Sequence, residues 1–263
     1  MHFTKMHGLG NDYLYVYGQV PDDIESLSIR LSNRHTGAGS DGMIYIGPSD
    51  VADFSMRIFN ADGSEAMMCG NGIRCVGKYV YDKGLTTKTS LSIETLSGIK
   101  QLELQVKDGV VSTATVAMGR AVVEDDLVLD VDGRQLVGTP VSMGNPHVVF
   151  VVPNAEAVPL EELGPLVGRH EAFPGGVNVE FVQMLSKREM RMRVWERGSG
   201  ITMACGTGSC ASVAAATSRR LCEPGVPVTV HLDGGPLQVE VSDDFQVTMT
   251  GPATTVYEGE VAL

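Results

Sequence analysis

The chain has 263 residues, of which 43% are hydrophobic and 20% charged, enough apolar material for one large domain or two modest ones. Its net charge of −12 would repel a phosphate backbone, so we expect no nucleic-acid binding. It contains no run of the roughly 18 apolar residues that a membrane-spanning helix needs, so we expect no membrane association.

The five cysteines are interpreted as reduced thiols. Residues 1–5 lack the apolar segment of a secretory signal, and an odd number of cysteines cannot pair completely. We therefore expect a cytoplasmic protein with free thiols.

Two segments predict helices. One begins after Gly72, where apolar side chains recur on one face at Ile73, Val76 and Val80. The other is the alanine-rich stretch of residues 209–217.

Other segments predict strands. Residues 102–106, 228–232 and 237–241 alternate between apolar and polar side chains, as half-buried strands do. Residues 233–236 predict a hairpin turn between the last two strands. Many strands with one main helix in each half of the chain predict the α+β class.

The chain repeats itself once. Four blocks recur in the same order at offsets close to 136 positions, which predicts a duplicated unit of ordinary domain size. We therefore expect an N-terminal domain over residues 1–118 and a C-terminal domain over residues 119–251. The paired blocks are 10–11 with 144–145, 56–59 with 192–195, 63–64 with 198–199, and 69–72 with 205–208.

Cys69 and Cys205 stand at the start of the two predicted helices. A helix N-terminus favours the thiolate and can lower the pKa of a cysteine, and the glycines that follow uncover amides suited to a carboxylate. If the two domains face each other, one thiolate could remove a proton from a carbon while the other thiol protonates its opposite face. Stereoinversion at an amino-acid α-carbon needs such an arrangement.

The residues alone leave other interpretations open. Free cysteines are often buried small side chains, which is how we interpret Cys75, Cys210 and Cys222. For Cys69 and Cys205, a structural role, an acid–base role, and metal or disulfide bonding all remain open. Their spacing is not that of a zinc site, so we expect no metal.

Seven short motifs extend along the whole chain: residues 6–13 (MHGLGNDY), 60–65 (NADGSE), 69–75 (CGNGIRC), 145–147 (NPH), 176–181 (GVNVEF), 196–198 (ERG) and 204–208 (ACGTG). Together they resemble the diaminopimelate epimerase family. The resemblance implies two pseudo-symmetric domains, each a barrel-like mixed sheet around a central helix, with the tail, residues 252–263, packed on the first domain.

The resemblance also implies an activity. Members of the family interconvert LL- and meso-2,6-diaminopimelate, a small-molecule substrate, in the synthesis of lysine and of peptidoglycan precursors. They use no pyridoxal phosphate, other cofactor or metal, and the family suggests a homodimer.

By resemblance, Cys69 and Cys205 form the acid–base pair, and His147 and Glu196 tune their thiols. Judged without the family, an asparagine beside a glycine also suits a turn, and a lone histidine is often structural. Gly42 departs from relatives that have Gln there, and it offers only backbone to a substrate. The residues expected to bind substrate are Asn11, Asn60, Gly70, Asn71, Asn145, Asn178, Glu196, Arg197, Gly206 and Thr207.

Three alternative functions remain open, two on the same scaffold and one from a different class. A proline or hydroxyproline racemase also opposes two thiols, but its substrate would not need Arg197 and so many amides. A phenazine-biosynthesis-type isomerase would not be expected to keep both cysteines. A metal or redox protein that uses the five thiols is the alternative from a different class.

Overall fold

The computed structural model describes residues 1–262, which form two compact units. The first unit comprises Met1–Ala117 and the segment that begins at Gly251, and the second comprises Met118–Thr250. The two domains expected from the internal repeat stay a prediction. Leu263, at the end of the expected tail, lies outside the described residues.

The N-terminal part of the chain contains two helices, α1 (Ile24–Ser32) and α2 (Gly70–Asp82). Its strands are β1 (His2–Gly8), β2 (Asn11–Tyr17), β3 (Gly42–Gly47), β4 (Phe54–Asn60), β5 (Glu65–Ala66), β6 (Ser90–Thr95), β7 (Gly98–Lys107) and β8 (Val110–Arg120).

The C-terminal part contains α3 (Leu160–Gly168) and α4 (Gly206–Ser218). Its strands are β9 (Val122–Val123), β10 (Leu127–Val131), β11 (Arg134–Ser142), β12 (Pro146–Val151), β13 (Asn178–Ser186), β14 (Glu189–Glu196), β15 (Gly200–Ile201), β16 (Val228–Leu232), β17 (Gly235–Val241), β18 (Gln246–Pro252) and β19 (Thr254–Glu260).

The sheets are mixed, and the fold is α+β as expected. Each unit has a parallel pair of strands next to its long helix. These pairs are β2 with β3 and β12 with β13. Most other neighbours are antiparallel, including β1 with β2 and β13 with β14. Near the C-terminus, β19 pairs with β1, so that His2 lies opposite Glu260.

The strand pair β2–β3 is buried on both faces, as parallel strands usually are. Leu14 and Met43 point into a core that includes residues of α1. On the other face, the Tyr15 hydroxyl donates to the Gly72 carbonyl of α2 at 3.3 Å. The nearly continuous apolar sequence of these strands follows from this double coverage, and α3 covers the equivalent face of β12–β13.

Both helices expected from the sequence are present, and each begins directly after its cysteine. The expectation missed α1 and α3, which begin at Ile24 and Leu160. Each has only nine residues, and Pro165 interrupts the hydrogen bonding of α3. Their stability comes from packing on the sheet, which a local sequence pattern reports weakly.

The expected strands are confirmed within β7, β16 and β17. The hairpin between the last two is confirmed as well, but its turn is shorter than expected. Leu232 pairs with Gly235, so only Asp233 and Gly234 form the tip. No helix in residues 1–262 is long and apolar enough to span a membrane.

Gly42 cannot accept a side chain without a backbone shift. Its φ is +156°, and a Cβ there would collide with the Phe59 carbonyl oxygen and lie 3.0 Å from the Tyr13 ring. We expect Gly42→Ala to lower the free energy of unfolding by about 2 to 4 kcal/mol. Urea denaturation would measure the loss.

Gly47→Ala, at the other end of β3, is the matched control. A Cβ there would lie 3.1 Å from the Ser55 hydroxyl, whose side chain can rotate, and 3.7 Å from the Gly18 carbonyl oxygen, an ordinary van der Waals contact. It should leave stability within about 1 kcal/mol of wild type. Equal stability of the two variants would contradict the steric explanation.

Candidate active site

Cys69 and Cys205 occupy the same position in the two units. Each is the N-cap of its helix, with extended backbone, and each sulfur accepts a hydrogen bond from the amide three residues later. The distance from Sγ to the amide nitrogen is 3.3 Å both for Gly72 and for Gly208. The first turn of an α-helix has amides without intrahelical acceptors, so each thiol borders a group of donors suited to an anion.

Cys69 is half-buried among polar groups of β2. Its Sγ lies 3.3 Å from Asn11 Oδ1, and Asn11 Nδ2 donates to Asp41 at 2.8 Å. Tyr13, on the same strand, has a buried side chain close to Cys69 and Asn11. Burial, and next the proximity of Cys69, raise the pKa of Tyr13 well above its ordinary value, so it remains a neutral phenol.

Cys205 is buried, with 4% of its surface exposed. Burial raises the pKa of its thiol well above the ordinary value, and the carboxylates of Glu196 and Glu180 raise it further. The Gly208 amide and the Thr207 hydroxyl act in the opposite direction. The expectation that the helix N-terminus would lower this pKa is therefore wrong for Cys205, because desolvation and like charge outweigh the helix dipole.

Glu196, Arg197 and Asn178 form one connected group. Glu196 accepts a hydrogen bond from Thr202 at 2.5 Å, and its carboxyl group lies close to Cys205. Burial is the main cause that raises the pKa of Glu196. The backbone amide of Arg197 donates to Asn178 Oδ1 at 2.8 Å, while its guanidinium is exposed and donates to the Gly175 carbonyl.

His147 is completely buried behind this group. Its Nδ1 lies 2.7 Å from Glu180 Oε1, and its Nε2 lies 3.2 Å from Asn145 Oδ1. Asn145 Nδ2 donates to Thr207 Oγ1 at 3.4 Å, and that hydroxyl lies 3.6 Å from Cys205 Sγ. A chain of polar contacts therefore leads from Glu180 to the thiol.

The remaining predicted residues lie at element ends. Asn60 closes β4, where its side chain donates to Ser64 Oγ at 3.0 Å. Asn71 is buried in the first turn of α2, and its Oδ1 accepts from Arg74 at 3.0 Å. Gly70 and Gly206 are the first residues of α2 and α4.

The sequence interpretation did not assign roles to Tyr13, Arg74 or Glu180. Arg74 is completely buried and donates to the Gly70 carbonyl at 2.9 Å, beside Cys69. Glu180 could have been noticed as the lone carboxylate in residues 177–182, which are otherwise apolar except for Asn178. Its histidine partner is 33 positions away, so only the fold reveals the pair.

The structure also bears on other sites that the chain could contain. A surface cavity of about 720 Å³ in the second unit, lined by Arg120, Asp126 and Arg219 among others, contains none of the predicted site residues. Among residues 1–262, no group of three or more His, Cys, Asp or Glu side chains is arranged to hold a metal ion.

The chain is similar to diaminopimelate epimerases along nearly its whole length. The sequence pattern of the family described as diaminopimelate epimerase matches residues 3–124 and 139–256. A diaminopimelate epimerase of Parabacteroides distasonis is 53% identical over 261 residues, which cover 98% of this chain and 96% of the relative. The diaminopimelate epimerase of Bacillus subtilis is 48% identical over an alignment of 275 residues, which covers 98% of this chain and 97% of the relative.

Solved structures share the fold at much lower identity. A phenazine biosynthesis protein of the PhzF family from Bacillus anthracis has a TM-score of 0.81 and 19% identity, with coverage of 100% of this chain and 99% of that one. A probable proline racemase from Agrobacterium radiobacter has a TM-score of 0.75 and 18% identity, with coverage of 100% and 93%. These likenesses establish the fold alone. With the family pattern and close relatives that span the whole length, this chain belongs to the diaminopimelate epimerase family.

Proposed function

We propose that this protein is a cofactor-independent isomerase that interconverts LL- and meso-2,6-diaminopimelate, with Cys69 and Cys205 as its acid–base pair. The observation that carries the proposal is the repeated N-cap cysteine, one in each unit, in a chain about half identical to named diaminopimelate epimerases. The family's role in the supply of lysine and peptidoglycan precursors follows from that reaction.

The proposed reaction moves one proton off and one proton on. One cysteine, as thiolate, takes the α-proton and becomes a thiol, while the electron pair of the broken C–H bond delocalises into the α-carboxylate. The other cysteine, as thiol, gives its proton to the opposite face of the same carbon and becomes a thiolate. The two thiols thus exchange protonation states in each turnover, and the reverse reaction exchanges their roles.

Backbone amides would stabilise the charge that develops on the α-carboxylate. The first turns of α2 and α4, with Gly70 and Asn71 in one and Gly206 and Thr207 in the other, offer donors next to the thiols. Donors fixed before the reaction need little reorganisation, which is the main source of such stabilisation.

The far end of the substrate has its own carboxylate and ammonium. We propose that the Arg197 guanidinium binds the carboxylate and that the Glu196 carboxylate binds the ammonium, because both pairs are charge-assisted. Asn11, Asn60, Asn145 and Asn178 would supply amide donors and acceptors. A proline-type substrate lacks this second end, so the same residues argue against that alternative.

We propose a homodimer on the strength of the family alone. We also propose that the protein functions in the cytoplasm with reduced thiols, because all five cysteines are free, and that its ligand is the small-molecule substrate. A thiol protein that binds metal has less support, because the two prominent cysteines each cap a helix and each accepts a backbone amide.

The activity test is proton NMR of LL-diaminopimelate in deuterium oxide with purified, reduced protein and no pyridoxal phosphate. We expect deuterium at the α-carbon together with growth of the meso isomer. Cys69→Ala and Cys205→Ala should each lower kcat by at least about a hundredfold, since each removes an acid–base group.

Cys222→Ala is the matched control, because Cys222 is also a buried free thiol but caps no helix. It should keep kcat within about twofold of wild type. If folded protein with free thiols exchanged no α-proton, the diaminopimelate assignment would be wrong.

A second prediction concerns the Cys205 thiol. Since the negative charge of Glu196 disfavours the thiolate, Glu196→Gln should lower the pKa of Cys205, so that alkylation begins at lower pH. Mass spectrometry of iodoacetamide adducts across a pH series would measure this at Cys205 itself. Glu189→Gln, exposed on the same strand, is the control and should leave the pH profile unmoved.

A further inference from the structure

The two units differ in what lies behind the start of their central helices. A Cβ added at Gly72 would meet Ile44 Cδ1 at 2.7 Å, whereas one added at Gly208 would meet Glu180 Oε1 at 2.6 Å. Ile44 and Glu180 therefore hold equivalent positions, on the strands β3 and β13. The same fold accepts an apolar side chain at this position in one unit and has a carboxyl group in the other.

Glu180 pairs with His147 out of contact with water. Both side chains have 0% exposure, and Nδ1 and Oε1 are 2.7 Å apart. The second carboxyl oxygen, Oε2, is buried and has no hydrogen-bond partner. A buried polar atom without a partner lowers the free energy of unfolding. If stability alone mattered, an isoleucine like Ile44 in the first unit would therefore be more favourable at this position.

The hydrogen-bond contacts determine where the protons lie. Asn145 donates through Nδ2 to Thr207, so its Oδ1 faces His147 Nε2. Because an amide oxygen only accepts, Nε2 must have a hydrogen. The short contact between Nδ1 and Oε1 requires a second proton between them, since a bare ring nitrogen and a carboxylate oxygen would repel each other. The pair is therefore neutral as a whole, which suits its dry surroundings.

We propose that Glu180 is a positioning residue for the Cys205 half of the reaction. By sharing a proton with His147 Nδ1, Glu180 keeps a hydrogen on His147 Nε2, which donates it to Asn145 Oδ1. The amide of Asn145 is then fixed with its NH₂ group toward Thr207, and the Thr207 hydroxyl is held against the Cys205 thiol. This inference rests on the proposed function, because it assigns the orientation of groups beside a reacting thiol.

Two substitutions distinguish the effect of the hydrogen bond to His147 Nδ1 from the effect of side-chain packing. The amide of Glu180→Gln can donate to Nδ1 and so preserve the hydrogen on Nε2. Glu180→Ile copies the first unit and removes the partner altogether. We expect kcat to fall by about tenfold to a hundredfold in Glu180→Ile, with KM changed less, and to stay within about threefold of wild type in Glu180→Gln.

Nitrogen-15 NMR of the His147 ring gives a readout that a merely structural role would not move. Its signals can be assigned by their loss in His147→Asn. In wild type and in Glu180→Gln we expect a hydrogen on Nε2, and in Glu180→Ile a mixture of the two tautomers. This measurement needs no substrate, so it also distinguishes failure of this inference from failure of the proposed function.

Phe181→Leu is the matched control for stability. It alters the next residue of β13, whose side chain lies in the apolar core on the other face of the strand. It should lower the melting temperature while kcat and the His147 signals stay as in wild type. The inference is overturned if Glu180→Ile keeps kcat within twofold of wild type, or if wild-type His147 has a bare Nε2.

Discussion

The contact between a cysteine sulfur and the amide three residues later determines the geometry of both halves of this molecule. N-caps are usually Ser, Thr, Asp or Asn, whose oxygen satisfies an amide at the start of the helix. Here a sulfur does so, and that sulfur is thereby fixed at the positive end of a buried helix. The residue that donates is a glycine in both cases, because a Cβ there would collide with the strand behind it. The position of the helix, the glycine at the donating residue and the orientation of the thiol therefore depend on one another.

The two cysteines have different electrostatic surroundings in the two units. Cys69 lies near a neutral phenol and one turn from the buried guanidinium of Arg74. Cys205 lies among carboxyl groups, which raise the pKa of its thiol. In the proposed epimerisation one thiol acts as the base while the other acts as the acid, so this difference in surroundings bears on which thiol holds the proton before substrate binds.

The fold by itself does not choose the reaction. Proteins with less than 20% identity share it under names as different as phenazine biosynthesis protein and proline racemase. The chemistry depends on the side chains that line the helix starts and on the polar contacts behind them. Several of these side chains are buried and polar, and burial of a polar group lowers stability unless the group finds a hydrogen-bond partner.

The sequence by itself determined the α+β class, the internal repeat, and the two helices that begin at Cys69 and Cys205, because each of these features leaves a local or periodic pattern. It also determined the family, since short motifs with glycine and cysteine at fixed spacing are specific. Only the tertiary structure decided that α1 and α3 form, since their stability comes from burial against strands distant in sequence. It also decided the sign of the pKa shift at Cys205 and the pairing of His147 with Glu180. Desolvation and hydrogen bonding depend on which groups the folded chain brings together, and no local pattern records that.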